Sequence, residues 1–374
     1  MALTSLIELR RDLHAHPELG YHEFRTAEII AGFLNRCGIE VHTGIGKTGV
    51  VGVLKRGNGT RVIGLRADMD ALPMADESEQ PWRSQHAGAA HACGHDGHTV
   101  MLLGAAEYLA REGQFDGTVC FIFQPAEEGI AGAKAMIDDG LFHRFPCDAV
   151  YAVHNWPELP LGEAQTRAGA IMAAGDRFDI TVSGGGGHAA QPHLSRDTLL
   201  ATSELVVQLN TIVARAIHPC EAATLTVARI QGGSSHNMIP AKAEITGTVR
   251  TFSPQVQDLI EGRVKQLAEH ITAAHGLAAE VKYTRYYPAT INSEAEAHLA
   301  LQAASDAGLK AAIAPYPAMT SEDFAFMLQE KPGAYLWLGS APGYPLHHPR
   351  FDFNDDLIPY GIKWFSGVVA RELG

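Results

Sequence analysis

Eight consecutive residues, His91–His98, supply one thiol and three imidazoles. Cys93 and His95 stand two residues apart in a loop bounded by glycines, so both side chains can reach one ion or one pair of ions. Thiolate and imidazole suit Zn, Co, Ni or Mn, and the soft sulfur favours the later metals. An isolated Cys-x-His is more often a buried cysteine beside a surface histidine. The neighbouring histidines and Asp96 favour a metal site instead.

A pair of acidic residues, Glu127-Glu128, follows the apolar run 118–123. Such a run is typical of a strand buried on both faces. Neighbouring side chains in extended backbone point in opposite directions. One carboxylate can therefore bind a metal while the other faces substrate and water as a general base. A solvated acidic turn is the usual alternative, and the position at a strand end makes it the weaker one.

Further side chains with suitable chemistry lie at other strand ends and in one loop. His154 follows an apolar run, and His347-His348 stand in a loop between two prolines. Asp68 and Asp70 come directly after another apolar run, and Asp70 can orient a metal ligand or the acid–base glutamate. The alternatives are a hydrogen-bonded core histidine at position 154 and turn caps at the two aspartates.

Strands and helices alternate in the first part of the chain and again near its end. Apolar runs predict strands at 50–55, 61–65, 118–123, 148–153 and 334–338, and apolar periodicity predicts helices at 3–16, 26–37, 100–111, 294–306 and 359–372. The alternation predicts an α/β fold with a largely parallel sheet covered by helices on both faces. The polar motifs follow the strands at their carboxyl ends, where open α/β sheets bind ligands.

The middle of the chain has a different pattern. From about Asp176 the order is β-α-β-β-α-β, with strands at 177–183, 224–230, 243–251 and 280–286 and helices at 198–217 and 254–275. This order is typical of a ferredoxin-like α+β fold. We therefore expect residues 176–288 to form an inserted domain, and residues 1–175 with 289–374 to form one catalytic, metal-binding domain.

Composition narrows the classes of function. The chain has 374 residues and a formal net charge of −13, which disfavours a nucleic-acid or anionic-membrane partner. The N-terminus lacks the apolar segment of a signal peptide, and no apolar run approaches the ~20 residues of a membrane span. The five cysteines are odd in number and scattered, as is typical of the reducing cytoplasm. We expect a cytoplasmic protein.

Seven motifs that span essentially the whole chain now form one set. They are Arg66–Pro73, His91–His98, Gln124–Gly129, Gly187–His193, Gly232–Pro240, Thr320–Phe324 and Leu346–Pro349. In sequence and spacing this set resembles the M20 metallopeptidase family. The likeness is strongest to its amidohydrolases, which include hippurate hydrolases, N-acyl-L-amino-acid deacylases (aminoacylases) and auxin-conjugate hydrolases.

The resemblance implies a site for two divalent metal ions (Zn, Mn, Co or Ni) in the catalytic domain. The ligands that it implies are Cys93, bridging the two ions, with His95, Glu128, His154 and His347. It also assigns Glu127 as the general base and Asp70 as the residue that supports that base from behind the ligands.

The resemblance further implies that the inserted domain is a lid and the contact surface of a homodimer. It places His188 over the active site of a neighbouring subunit, where this residue stabilises the oxyanion of the tetrahedral intermediate. Asn237 and Arg250 would hold the free carboxylate of the substrate, and a guanidinium can bind a carboxylate through two hydrogen bonds.

These expectations together predict metal-dependent hydrolysis of the amide bond of small N-acyl-L-amino acids, giving a carboxylic acid and a free amino acid. One alternative is a dipeptidase or aminopeptidase on the same dinuclear scaffold. A second is a cysteine hydrolase with Cys93 as nucleophile. A third is a metal-storing or ligand-binding protein without turnover, against which the spare carboxylate of the Glu127-Glu128 pair argues.

Overall fold

The structure is a computed structural model that describes residues 3–374. The chain forms two compact units. The first comprises the described chain up to Ile171, together with Thr290–Tyr316 and Asp323–Gly374. The second comprises Met172–Ala289 and Pro317–Glu322, so a short segment outside the range 176–288 belongs to it.

An eight-stranded mixed sheet forms the centre of the first unit, in the spatial order β1-β2-β4-β3-β5-β16-β6-β15. Its strands are β1 (Glu40–Ile45), β2 (Gly49–Arg56), β3 (Val62–Asp68), β4 (Gly117–Gln124), β5 (Ala149–Pro160), β6 (Glu163–Thr166), β15 (Lys310–Ile313) and β16 (Gly333–Ala341). The central strands β4, β3, β5 and β16 are parallel. A separate two-stranded sheet pairs β7 (Gly169–Met172) with β14 (Thr290–Asn292).

The predicted α/β class is confirmed, with antiparallel pairs added at both sides of the parallel centre. Only the residues 46–48 connect β1 to β2, and so short a connection can join only antiparallel strands. The central strands are buried almost throughout, which explains their near-continuous apolar sequences.

Helices cover the sheet on both faces. The helices of this unit are α1 (Leu3–Ala15), α2 (Phe24–Arg36), α3 (His95–Arg111), α4 (Glu127–Ile130), α5 (Gly132–Asp138), α6 (Leu141–Arg144), α10 (Glu294–Asp306), α11 (Phe324–Glu330) and α12 (Ile358–Leu373). Leu65 of β3 shares one core with α3 and α12. The next residue, Arg66, points to the other face and lies beside the ring of Phe324 in α11.

Helix α3 begins at His95, so the predicted start at residue 100 is wrong by five positions. The residues 95–99 are all buried although several of them are polar. Apolar periodicity therefore gave no signal over this first turn. Gly94, with φ of 95°, redirects the chain into the helix.

The second unit has the predicted ferredoxin-like fold. Its elements are β8 (Ala174–Ser183), β9 (Gly187–His188), α7 (Thr198–Leu209), α8 (Thr211–Ala216), β10 (Ala223–Gly232), β11 (Met238–Ile239), β12 (Lys242–Thr251), α9 (Pro254–Ala274) and β13 (Ala278–Tyr287). The antiparallel order β10-β12-β8-β13 places the first and third strands at the centre. Asp197 and Ser253 cap α7 and α9 through their side-chain oxygens. The single helix predicted at 198–217 is divided in two at Asn210.

Apolar side chains from the sheet and from helices α7 and α9 form a second core that belongs to this unit. Among the described helices of the whole chain, none combines the length and the apolar character that crossing a membrane requires.

Candidate metal centre and catalytic site

The carboxyl ends of three parallel strands, β4, β3 and β5, bring the predicted motifs together. Asp68 ends β3, and the loop after β4 carries Glu127 and Glu128. His154 lies inside β5 and not after it, because β5 continues to Pro160 and pairs with β16, with a shift in register after Trp156. The first turn of α3 adds His95 to the same edge.

The Cys93–His95 turn depends on the glycine between its two metal-binding side chains. Gly94 has φ of 95°, which disfavours any residue with a Cβ atom. An added Cβ would also collide with the side-chain amide of Asn155. With glycine in place, Cys93 Sγ lies 3.4 Å from His154 Nε2. Cys93, His95 and His154 are all buried, and their ligand atoms lie within 4.8 Å of one another.

Two further groups of ligand atoms that overlap the first contain the remaining predicted side chains. Cys93, Glu128 and His347 form one, and His95, Glu127 and Glu128 form the other, each with mutual separations within 4.8 Å. Cys93 thus belongs both to the group with His95 and His154 and to the group with Glu128 and His347. A thiolate shared by two ions would require such an arrangement. The structure therefore brings together all five predicted ligands and Glu127.

The two adjacent histidines of the C-terminal loop have different surroundings. His347 has φ of 63°, and its backbone N–H donates to Ala92 O at 2.7 Å. Its Nε2 lies 3.3 Å from Glu128 Oε1. His348 instead stacks on Tyr344 with ring centroids 4.5 Å apart. Of the two, His347 is therefore the one that faces the other predicted ligands.

The carboxylates around this site favour positive charge within it. Burial, together with Glu128 and Glu127, raises the pKa of the Cys93 thiol well above its usual range. Burial alone would lower the pKa of His95, but Asp68 and Asp70 outweigh it and raise that pKa to about 10. The described residues leave two buried atoms here, His95 Nε2 and Glu128 Oε1, without a hydrogen bond. These shifts report an excess of negative charge, and a divalent ion would displace the protons of Cys93 and His95.

Asp70 connects two of the predicted ligands. Its Oδ1 lies 3.1 Å from His95 Nδ1. Its Oδ2 accepts a hydrogen bond of 3.0 Å from the backbone N–H of Glu128. The carboxylate is almost fully buried. It therefore fixes the ring orientation of His95 and the backbone position of Glu128 together.

A buried charged network behind the ligands was not predicted from the sequence. Arg66 donates to Asp68 Oδ2 at 2.7 Å and to Asp323 Oδ1 at 3.1 Å. Asp68 Oδ1 lies 2.6 Å from His98 Nδ1, and these two residues form a further group of possible ligands with His95. The backbone N–H of Asp323 donates to Glu127 Oε1 at 3.4 Å. An arginine inside an otherwise apolar strand was the signal available for this network.

The N-terminal helix supplies a second unpredicted contact. His14 Nδ1 lies 2.8 Å from Asp96 Oδ2, and Arg10 Nη1 donates to the same oxygen at 3.4 Å. Asp96 therefore anchors the start of α3 to α1. His91 is buried, and its pKa is lowered to about 4 by that burial, so it is neutral in this environment. Neither Asp96 nor His91 belongs to the ligand groups found among the described residues.

The three site residues predicted in the middle of the chain lie in the second unit. His188 is exposed on β9, which pairs with β11, and Ala189 N donates to Asn237 O at 3.0 Å. Arg250 lies near the end of β12 and donates to Thr248 Oγ1 and Val249 O. Burial lowers the pKa of its guanidinium.

Comparisons with known proteins agree with this fold. The profile of Peptidase family M20/M25/M40 matches residues 64–371. A hippurate hydrolase of Campylobacter jejuni is 38% identical over 368 residues, which cover 98% of this chain and 96% of that protein. An N-acetyl-L-cysteine deacetylase of Bacillus subtilis is 41% identical over 355 residues, covering 94% and 84%.

A solved structure of an M20 family protein has the same fold. The Bacillus subtilis protein YXEP, described as a dinuclear metal-binding peptidase from the M20 family, superimposes with a TM-score of 0.88 at 34% identity. The match covers 99% of this chain and 98% of that one. The chain therefore belongs to Peptidase family M20/M25/M40. The predicted family is confirmed, and so is the prediction of a metal-dependent enzyme that hydrolyses amide bonds.

Proposed function

We propose that the chain hydrolyses the amide bond of N-acyl-L-amino acids, releasing a carboxylic acid and a free amino acid. The observation that carries the proposal is the convergence of Cys93 and Glu128 with a second carboxylate, Glu127, beside them. The two relatives above are by name a hydrolase of hippurate and a deacetylase of N-acetyl-L-cysteine. A third relative, from Bacillus cytotoxicus, is an N-acetyldiaminopimelate deacetylase.

Five side chains would hold two divalent ions, with Cys93 shared between them: Cys93, His95, Glu128, His154 and His347. Such ions polarise the scissile carbonyl and lower the pKa of an attacking water towards neutrality. The thiolate and the imidazoles favour Zn, Co or Ni, and the carboxylate of Glu128 also accommodates Mn. All five cysteines of the chain are free thiols, which supports a cytoplasmic location where thiols stay reduced.

Glu127 is the general base of this proposal. It is buried, and the backbone N–H of Asp323 donates to its Oε1. Glu127 accepts a proton from the attacking water and then donates that proton to the departing amine. Its neighbour Glu128 has its backbone held by Asp70, so the two carboxylates keep separate tasks.

The second unit would act as a lid that binds the rest of the substrate. Arg250, with Asn237, would hold the free carboxylate. The half-buried guanidinium is oriented by the hydrogen bonds that its Nη1 donates to Thr248 and Val249. His188 would donate to the oxyanion of the tetrahedral intermediate in the active site of a partner subunit. One such donor contributes about 3 kcal/mol to transition-state stabilisation in other hydrolases.

A homodimer through this unit is supported by its apolar surface. On α7, Leu200 is 58% exposed and Val207 is 64% exposed. Ile230, 55% exposed, lies on β10, which is an edge strand of the four-stranded sheet. An uncovered apolar helix beside an open strand edge is a typical site of self-association. Val207→Asp should convert the dimer to a monomer in sedimentation velocity.

The central test is Glu127→Gln. We expect kcat to fall by about 10²–10⁴-fold, because proton transfer is lost. Metal content, measured by plasma mass spectrometry, should stay at two ions per chain. Retained turnover would refute the assignment of the base. Turnover that survives exhaustive treatment with EDTA would instead favour the cysteine hydrolase.

Substrate range separates the remaining alternatives. A panel of N-acyl amino acids and unblocked dipeptides should be assayed with Mn, Co, Ni and Zn after the protein has been stripped of metal. We expect turnover of the N-acylated compounds. A requirement for a free α-amino group would favour a dipeptidase or aminopeptidase, and metal binding without turnover of any compound would favour a storage protein.

A further inference from the structure

The loop that carries Glu127 and Glu128 contains an unusual backbone conformation. Ala126, directly before the two glutamates, has φ of 54° and ψ of 43°. This left-handed region is disfavoured for every residue that has a Cβ atom. Such a conformation persists only where surrounding contacts hold it, and it recurs at functional sites. Ala126 is completely buried, so the contacts that hold it are internal ones.

One of these contacts comes from a residue more than 100 positions earlier in the chain. Glu23, directly before α2, accepts a hydrogen bond of 2.8 Å from Ala126 N–H through its Oε1. Its Oε2 accepts a hydrogen bond of 2.6 Å from Thr48 Oγ1. Glu23 is completely buried. Because a separate donor occupies each oxygen, the carboxylate cannot rotate away from Ala126 without losing a hydrogen bond.

The residues just before Glu23 pack against the same loop. A Cβ added to Gly20 would lie 2.6 Å from Ile130 Cδ1 and 3.1 Å from Ala126 Cα. The hydroxyl of Tyr21 donates to Ile130 O at 3.0 Å. The segment Gly20–Glu23 therefore contacts the loop on both sides of the glutamate pair.

We propose that Glu23 is a positioning residue for Glu127 and Glu128, because it holds Ala126 in the left-handed conformation that directs both side chains into the site. The inference rests on the proposed function, which gives the two glutamates their roles. If Ala126 relaxed to an ordinary helical or extended conformation, its φ would change by about 100° or more. Such a change would move Glu127 away from Asp323 N–H and Glu128 away from Asp70.

The test compares Glu23→Leu with Thr48→Val. The leucine removes the acceptor for Ala126 N–H, and we expect kcat to fall by about 10–100-fold, because a displacement of ~1 Å has this effect in other enzymes. KM should stay within about twofold, since Glu23 does not contact the substrate. Thr48→Val removes only the hydrogen bond to Oε2. It should lower the thermal midpoint and leave kcat within about twofold of the wild type.

A second substitution separates positioning from general loss of stability. Glycine adopts the left-handed conformation without steric cost. Ala126→Gly in the Glu23→Leu background should therefore recover kcat by at least about fivefold at a temperature at which both variants are fully folded. Where the leucine variant does not fold, Glu23→Asp makes the same comparison, because a side chain one methylene shorter cannot reach both donors.

A crystal structure of the Glu23 variant supplies a readout besides activity. We expect Ala126 to leave the left-handed region in it. The inference is overturned if Ala126 keeps its φ, if kcat stays within twofold of wild type, or if the glycine gives no recovery. Glu127→Gln, assayed alongside, separates the positioning role of Glu23 from the general-base role of Glu127. An active Glu127→Gln enzyme refutes the proposed base. An inactive Glu127→Gln enzyme beside a fully active Glu23→Leu enzyme refutes only the positioning role.

Discussion

Asp70→Asn is the substitution whose effect the geometry defines most closely. The carboxylate accepts from two donors, His95 Nδ1 at 3.1 Å and the backbone N–H of Glu128 at 3.0 Å. Asparagine has one acceptor oxygen and one NH₂ group in the same places. Whichever way the amide turns, its NH₂ group faces one of the two donors, and that hydrogen bond is lost.

The free energy lost with this hydrogen bond can be placed within a range. A buried hydrogen bond to a charged group contributes about 1.5–3 kcal/mol. His95 Nδ1 also lies 3.0 Å from the backbone carbonyl of Asp70, which the substitution leaves in place. The amide can therefore keep its oxygen towards Glu128 while the carbonyl retains His95, so the lower half of the range applies. A loss of about 1.5–2 kcal/mol corresponds to metal binding that is ~10–30-fold weaker.

The assay is a Zn²⁺ competition titration against a chromophoric chelator. Asp176→Asn is the matched control, because Asp176 is also buried and accepts from Gln257 and Tyr283 at 2.8 Å, but lies in the second unit. It should lower stability and leave Zn²⁺ affinity unchanged. Equal Zn²⁺ affinities for Asp70→Asn and wild type would refute the reasoning that Asp70 acts on the ligands His95 and Glu128.

Three further predictions test the site and its support. His347→Ala should lower metal occupancy below two ions per chain by mass spectrometry, whereas His348→Ala should retain both ions. The reason is that the ring of His347 faces Glu128, while the ring of His348 stacks on Tyr344. Equal occupancies in the two variants would contradict this prediction. Gly94→Ala should lower the free energy of unfolding by about 2–4 kcal/mol and reduce metal content. The alanine adds left-handed backbone strain and a collision with a side-chain amide on β5. Urea titration measures the loss of unfolding free energy. Burial lowers the pKa of His14, but the neighbouring aspartates outweigh burial and raise that pKa to about 9. The stability that protonated His14 contributes is therefore fully present below pH 6.5 and is lost as the pH rises through 9. Urea unfolding at pH 6.5 and 9.5 should show a loss larger by ~3 kcal/mol for wild type than for His14→Gln, at about 1.4 kcal/mol per pKa unit, and parallel curves would reject this.

The sequence was most informative where a motif is local. Cys93 and His95 share one turn, and Glu127-Glu128 follows a strand whose apolar run is continuous, so both pieces were predictable. Their meeting followed from the rule that parallel strands bring their carboxyl ends to one edge. The seven predicted helices correspond to helices in the structure, and the errors lie at their ends and at Asn210.

What sequence reasoning missed are contacts between distant positions. Glu23 and Ala126 are adjacent only through tertiary packing, and the left-handed backbone of an alanine leaves no mark in a residue pattern. Arg10 and His14 lie on a helix whose apolar stripe was predicted, but a stripe does not identify the acid that its polar residues bind. Each such pairing requires the coordinates of both elements.

The network behind the ligands also explains how so many acids share one edge of a sheet. Arg66 donates to Asp68 and to Asp323, so the charges of these two carboxylates are balanced inside the protein. Burial opposes ionisation of Asp68, but the neighbouring histidines and Arg66 outweigh burial and hold its pKa well below the usual range. Acids of this kind are ionised without metal and serve as supports.

Cys93 is in a different electrostatic condition from Asp68. Burial and the nearby carboxylates raise the pKa of Cys93, and Glu128 Oε1 is buried without a hydrogen bond among the described residues. The thiolate form that a metal requires therefore becomes stable here only when positive charge enters the site. Arg66 thus balances the charge of Asp68 and Asp323 behind the site, whereas Cys93 and Glu128 lie in the groups of side chains that could hold an ion.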